Sequence, residues 1–128
     1  MLRFALLALL ALCAQPAAAQ TQTEMTADAC AARDASDRAL NAAYRDALAA
    51  APSDLGRRRL RDAQRAWVRF RDAETAALFP LAPGADVRAA YGSIYPMRLC
   101  IEQARFTKAR TAQLREHARC AGGDPTCM

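Results

Sequence analysis

Valine and isoleucine together supply only four of the 128 residues. A half-buried strand favours β-branched side chains, so this scarcity excludes a β-sandwich or barrel. There is one histidine, His117, and neither G-x-S-x-G nor H-E-x-x-H occurs. The strand-turn serine nucleophile and the helical zinc protease site therefore have no counterpart here, and a glycine-rich phosphate loop is missing too. Five glycines and six prolines are too few for a low-complexity chain. Only one long apolar run exists, Phe4 to Leu12, well short of the ~20 residues that a membrane span needs.

What is abundant forms helices. Alanine accounts for 33 residues, and arginine, leucine, glutamine and glutamate fill much of the rest. Alanine buries little area, so the hydrophobic fraction of 53% overstates the core; residues 20–128 hold nineteen Val, Ile, Leu, Met, Phe and Trp. The expected fold is all-α, a small antiparallel three-helix bundle stapled by disulfides.

The N-terminus reads as an export signal over residues 1–19. A basic start ending at Arg3 precedes the apolar run, and Ala17-Ala18-Ala19 stands ahead of Gln20. Cys13 offers a second reading, a lipoprotein cleaved there, but Leu12 stands where a small residue is expected. The mature part is then a single helical domain, 20–128, periplasmic or secreted, with no membrane span. Four cysteines remain in it: Cys30, Cys100, Cys120 and Cys127. An even count in an exported chain suggests two disulfides, with three possible connectivities. Cys120 and Cys127 bracket AGGDPT, a turn that brings its ends together and closes the C-terminal tail. Cys30 and Cys100 then pair by default.

Three helical segments are expected, at about 28–50, 54–79 and 97–118. Thr26 or Asp28 caps the first, whose stripe is Leu40, Tyr44, Ala47 and Leu48. Pro52 stops it, and Ser53 caps the second. There Leu60, Ala63, Trp67, Phe70, Ala77 and Leu78 mark one face, with Trp67 and Phe70 expected in the core and arginines over the rest. A connector from Leu81 to Pro96 allows one short turn near Asp86–Ala90. On the third helix Leu99, Phe106 and Gln113/Leu114 form one stripe, and Cys100, Thr107 and Leu114 its neighbour.

These segments resemble a known family. Asp37 to Tyr44 (DRALNAAY) resembles a D-x-x-L-N-x-x-Y element, and Leu60 to Glu74 resembles L-x-x-A-Q-R-A-W-x-x-[FY]-R-D-A-E. Gly92 to Pro96 resembles a G-S-x-x-P loop, and Cys100 to Leu114 a helix with Thr107, Arg110 and Thr111 at the family's positions. Together they resemble the LprI-type lysozyme inhibitor family, in its N-terminal-domain form. The resemblance implies an exported inhibitor whose partner is a lysozyme. Thr75 stands where the family often has a cysteine, so the resemblance supplies no partner for Cys100.

The polar motif residues Asn41, Tyr44, Gln64, Arg71 and Arg110, with Trp67, lie close to the apolar stripes. They are expected to form an interhelical network in which Arg71 or Arg110 bonds a carboxylate such as Glu74 or Asp37, or caps carbonyls. The competing reading is a ligand cleft between helices. His117, Cys120 and Cys127 are three possible metal ligands, but a structural zinc site wants four and export favours a disulfide. No metal, no cofactor and no catalytic residue is expected, and nucleic acid is not an expected partner.

The connector is the candidate contact segment. At sixteen residues it is longer than a compact bundle needs. It carries Arg88, Tyr91, Ser93 and Tyr95, and Tyr and Arg are the types enriched at binding hot spots. The alternative function is a non-enzymatic envelope module for peptidoglycan, anionic lipid or a periplasmic protein. Loss of Arg3 with the signal segment lowers the net charge from +5 to +4, which suits an anionic polymer and repels a cationic lysozyme at long range.

Overall fold

The computed structural model describes residues 20–127; the expected signal segment, with Cys13, lies outside the described residues. Four α-helices follow one another: α1 Gln22–Ala50, α2 Asp54–Leu78, α3 Val87–Tyr91 and α4 Tyr95–Ala121. A 3₁₀ turn, Pro125–Cys127, ends the chain, and no strand occurs among the described residues.

The helix starts correct the expected boundaries. The first helix begins six residues early because Thr21, not Thr26 or Asp28, is its cap. The Thr21 hydroxyl accepts from the Glu24 N–H, and the Glu24 carboxylate accepts from the Thr21 N–H at 2.7 Å. That reciprocal box satisfies two otherwise orphaned donors. Thr26 sits inside the helix instead, donating to the Gln22 carbonyl. The last long helix begins at Tyr95, before Pro96 rather than after it. Proline fits a first turn because its missing N–H would have had no helical partner there.

Helices α1 and α4 are the closely packed pair. Cys30 bonds Cys100, and Thr107 donates to Asp37 seventy residues away, so the two helices run parallel in register. Their seam is made of small residues: Ser36, Ala43 and Ala47 on one side, Cys100, Ala104, Thr107 and Thr111 on the other, all buried. Leu40 and Leu114 complete it. The Ser36 and Thr111 hydroxyls donate to the carbonyls of Ala32 and Thr107, each at 2.8 Å. Bonded to their own helices, they are buried at no loss of hydrogen bonding.

Helix α2 runs the opposite way along α4. Arg110 bonds Gln64, and Phe106 meets Phe70 edge-on, so residue numbers rise on one helix as they fall on the other. It packs more loosely, and Leu60 is its buried residue. The expected face of α2 is corrected. Phe70 is 52% exposed, and Ala63, Ala77 and Leu78 are exposed with it. Leu60 and Trp67 keep the expected side, Trp67 half-buried against the core, and Gln64 and Arg71, also half-buried, turn inward beside them. The physical reason is steric: Leu60 anchors this helix against Leu114, and a helix anchored there brings positions at steps of four and three from Leu60 to the seam. The rest of the seam face is polar.

Candidate functional site

The segment between α2 and α4 folds around Phe79, which is buried at the C-terminus of α2. Tyr91 and Tyr95 meet its ring edge-on at 5.7 and 5.3 Å and stack on each other at 5.6 Å. Offset stacks and T-shapes are the favoured arrangements for such rings. Arg98 lies over the Phe79 ring, 5.5 Å from its centroid. The Tyr91 hydroxyl donates to the Pro80 carbonyl, tying the turn after α2 to the end of α3. Asp86 caps α3 by accepting from the Ala89 N–H at 2.8 Å. Gly92 then reverses the chain with φ 71°, a backbone region that favours glycine.

The four candidate contacts therefore separate into two pairs. Tyr91 and Tyr95 are half-buried in the aromatic cluster, where they hold the turn in shape. Arg88 and Ser93 are exposed on its outer face. They line a cavity of about 280 Å³ with Val87, Gly92, Tyr95 and Pro96. They also line an adjoining one of about 480 Å³ whose far wall is the start of α1, from Gln22 to Cys30. The Cys30–Cys100 bridge, Cα–Cα 4.9 Å, fixes that wall against α4. Arg88 has no carboxylate partner among the described residues. Sequence reasoning missed Phe79 and Arg98; the signal for Phe79 is one aromatic residue beside Pro80 facing two tyrosines across the connector.

The motif residues of α1 and α2 gather elsewhere, on the flank between those helices, while Arg110 stands on α4. Asp37, Leu40, Asn41 and Tyr44 face Gln64, Trp67, Val68 and Arg71 across a groove of about 330 Å³. The expected interhelical network is corrected here. Arg110 donates to the Gln64 amide oxygen at 3.0 Å, not to a carboxylate. Burial holds its guanidinium below the usual arginine range. Arg71 pairs with its own neighbour Asp72 at 2.8 Å and lies over the Trp67 ring at 5.4 Å. It does not bond Glu74 or Asp37, because its guanidinium is turned along α2 by those two contacts.

The C-terminal cysteines, Cys120 and Cys127, are joined, Cα–Cα 5.4 Å. Glu116, Cys120 and Cys127 lie close together, but sulfurs in a disulfide are not thiolate ligands. His117 is exposed and lines a separate cavity between α2 and α4. Among the described residues no helix is long and apolar enough to cross a membrane.

A family model described as "Lysozyme inhibitor LprI" matches residues 13–114, which include every helix named above but the last turns of α4. Neither the curated proteins nor the solved structures hold a match.

Proposed function

The chain belongs to the LprI lysozyme inhibitor family, and from that premise we propose that it is exported, cleaved after Ala19, and inhibits a lysozyme by binding rather than by catalysis. Its working unit in this reading is the antiparallel three-helix bundle of α1, α2 and α4. The contact end is the one where α1 and α4 both begin. One observation carries the choice of that end: Arg88 is exposed and without a carboxylate partner at the mouth of two adjoining cavities, on a turn braced from behind by Phe79, Tyr91 and Tyr95.

The chemistry follows from the target. A lysozyme cleft holds a pair of catalytic carboxylates. A guanidinium delivers two parallel donors to a carboxylate, which suits Arg88 to that pair, with the Ser93 hydroxyl beside it. A rigid turn loses little conformational entropy on docking, so its contacts go further toward affinity. The basic face of α2 competes less well as a contact surface for an anionic polymer. Arg57 and Arg65 there are already paired with Asp54 and Asp62, which removes half of the four-arginine face that includes Arg58 and Arg61.

The test is a muramidase assay against several lysozyme types, with the oxidised protein and its Arg88→Ala variant, after thermal melts show equal folding. The parent inhibits at least one type, and Arg88→Ala weakens inhibition roughly tenfold or more, as loss of a charge-assisted contact does. Arg61→Ala, on the α2 face, leaves it unchanged. Equal inhibition by Arg88→Ala removes this end as the site.

A further inference from the structure

A cavity of about 570 Å³ opens between the start of α2 and the end of α4, away from the Arg88 turn. Leu60 and Leu114 form its floor, and the small residues Ala51, Gly56, Ala63 and Ala121 leave space beside them. Gly56 is not there for its backbone, because it lacks the positive φ of Gly84, Gly92 and Gly123. A Cβ at this position would meet nothing closer than the Ser53 hydroxyl at 3.4 Å. Glycine inside a helix is less favourable than alanine, and what its absent side chain contributes here is room. The charged members of the lining are all basic, with Arg59, Arg110 and His117 and no carboxylate.

Arg110 is half-buried, and its Nε and Nη1 donate to the amide oxygens of Gln64 and Gln113 at 3.0 and 3.2 Å. Both partners are neutral, so this charge is carried part-way out of water with no anion beside it. Such a charge is costly until it is paired, and burial holds the guanidinium below the usual arginine range. Arg59 pairs with no carboxylate among the described residues, whereas Arg57 and Arg65 on the same helix do. We infer that this cavity binds a carboxylate carrying one long alkyl chain, a fatty acid. The alkyl chain covers Leu60, Ala63 and Leu114, and each methylene buried there stabilises the complex by leaving water. The head group takes the Arg110 Nη2 donors, which neither glutamine uses, and the guanidinium of Arg59. Floor and charge together decide the class of ligand. A neutral sugar leaves Arg110 uncompensated, a bare anion leaves the floor in water, and a second copy of this basic chain brings charge of the wrong sign. The volume is that of a small-molecule site. The inference stands apart from lysozyme inhibition, since none of these residues lies at the Arg88 end.

The oxidised protein is titrated by calorimetry with decanoate below its micelle concentration, and with decanol, which has the chain and no carboxylate. Saturable binding of decanoate is expected, with decanol roughly tenfold weaker. Arg110→Gln is expected to weaken decanoate roughly tenfold, and Ala63→Phe, which fills the cavity, to remove most of the binding. Ala63 is exposed, so its variant keeps the parent's melting temperature and separates loss of the site from loss of the fold. Lys108→Ala, an exposed cation of α4 outside the lining, leaves binding unchanged. No saturable heat with decanoate up to millimolar concentration overturns the inference. So does decanol binding as tightly as decanoate, or decanoate binding that Ala63→Phe leaves as tight as before. Co-sedimentation with vesicles of an anionic phospholipid, without binding of free decanoate, overturns it as well.

Discussion

Ala47 is fully buried and Ala43 nearly so, and both pack in the cluster of Leu114 and Ala118 on α4. Alanine here sets how near two helices lie, a role that a count of buried area overlooks. An added isobutyl group at this seam has nowhere to go. Ala47→Leu should therefore cost about 1–3 kcal/mol by overpacking, read from a denaturant melt. Large residues sort the opposite way from their size: Leu114→Ala, at a site 1% exposed, should cost about 2–5 kcal/mol, and Phe70→Ala distinctly less. The stripe Cys100, Thr107 and Leu114 was legible because its steps are those of one helix face. Phe70 was misread because an aromatic residue at core spacing looks like core; it instead lies on the surface against Phe106. Gln64 and Arg71 face inward in its place, and a hydrophobicity pattern has no means of marking that.

The length of α2 was legible from Ser53 and Pro80, residues whose backbone preferences act locally; of α3 only a short turn near Asp86–Ala90 was. The start of α1 was not, because Thr21 and Glu24 form a cap only as a reciprocal pair, and either residue alone reads as an ordinary polar position. Replacing Thr21 by alanine should cost about 1 kcal/mol. Glu24 adds a pH dependence. The Thr21 backbone N–H, and then its hydroxyl, hold the Glu24 carboxyl below its ordinary value. A group with a depressed folded pKa stabilises fully above its unfolded pKa and loses that contribution as pH falls through the folded one. Protection factors of the first α1 amides should fall in acid in the parent and stay flat in Glu24→Gln. The two disulfides differ in what they constrain. Cys30–Cys100 closes a loop of 70 residues and Cys120–Cys127 one of 7. In the chain-entropy view the long loop is worth about 4 kcal/mol and the short one less. Replacing Cys30 and Cys100 together by serine should lower the melting temperature far more than the same change at Cys120 and Cys127, measured by calorimetry under oxidising conditions.

Across the whole molecule, the proposed contact end stands apart from the flank between α1 and α2. One end gathers the starts of α1 and α4, the longer disulfide and the aromatic turn; the flank holds the motif residues of α1 and α2 alone. The all-helical class was legible from composition, as was the place of the connector. The division of the connector into a bracing pair, Tyr91 and Tyr95, and an outward pair, Arg88 and Ser93, was not. It depends on Phe79, which lies twelve residues before Tyr91 and is brought to it only by the fold. Charge acts at this scale as well. A basic chain meets a cationic lysozyme against long-range repulsion, so an Arg88 contact has to be a short-range fit into an acidic cleft. Amide hydrogen exchange on the oxidised protein, alone and with a lysozyme that it inhibits, locates the contact end. New protection should be confined to Val87–Tyr91 and the first turns of α1 and α4, with α2 from Arg57 to Arg69 unchanged. Protection along α2 with none at Val87–Tyr91, or no protection anywhere, would contradict it.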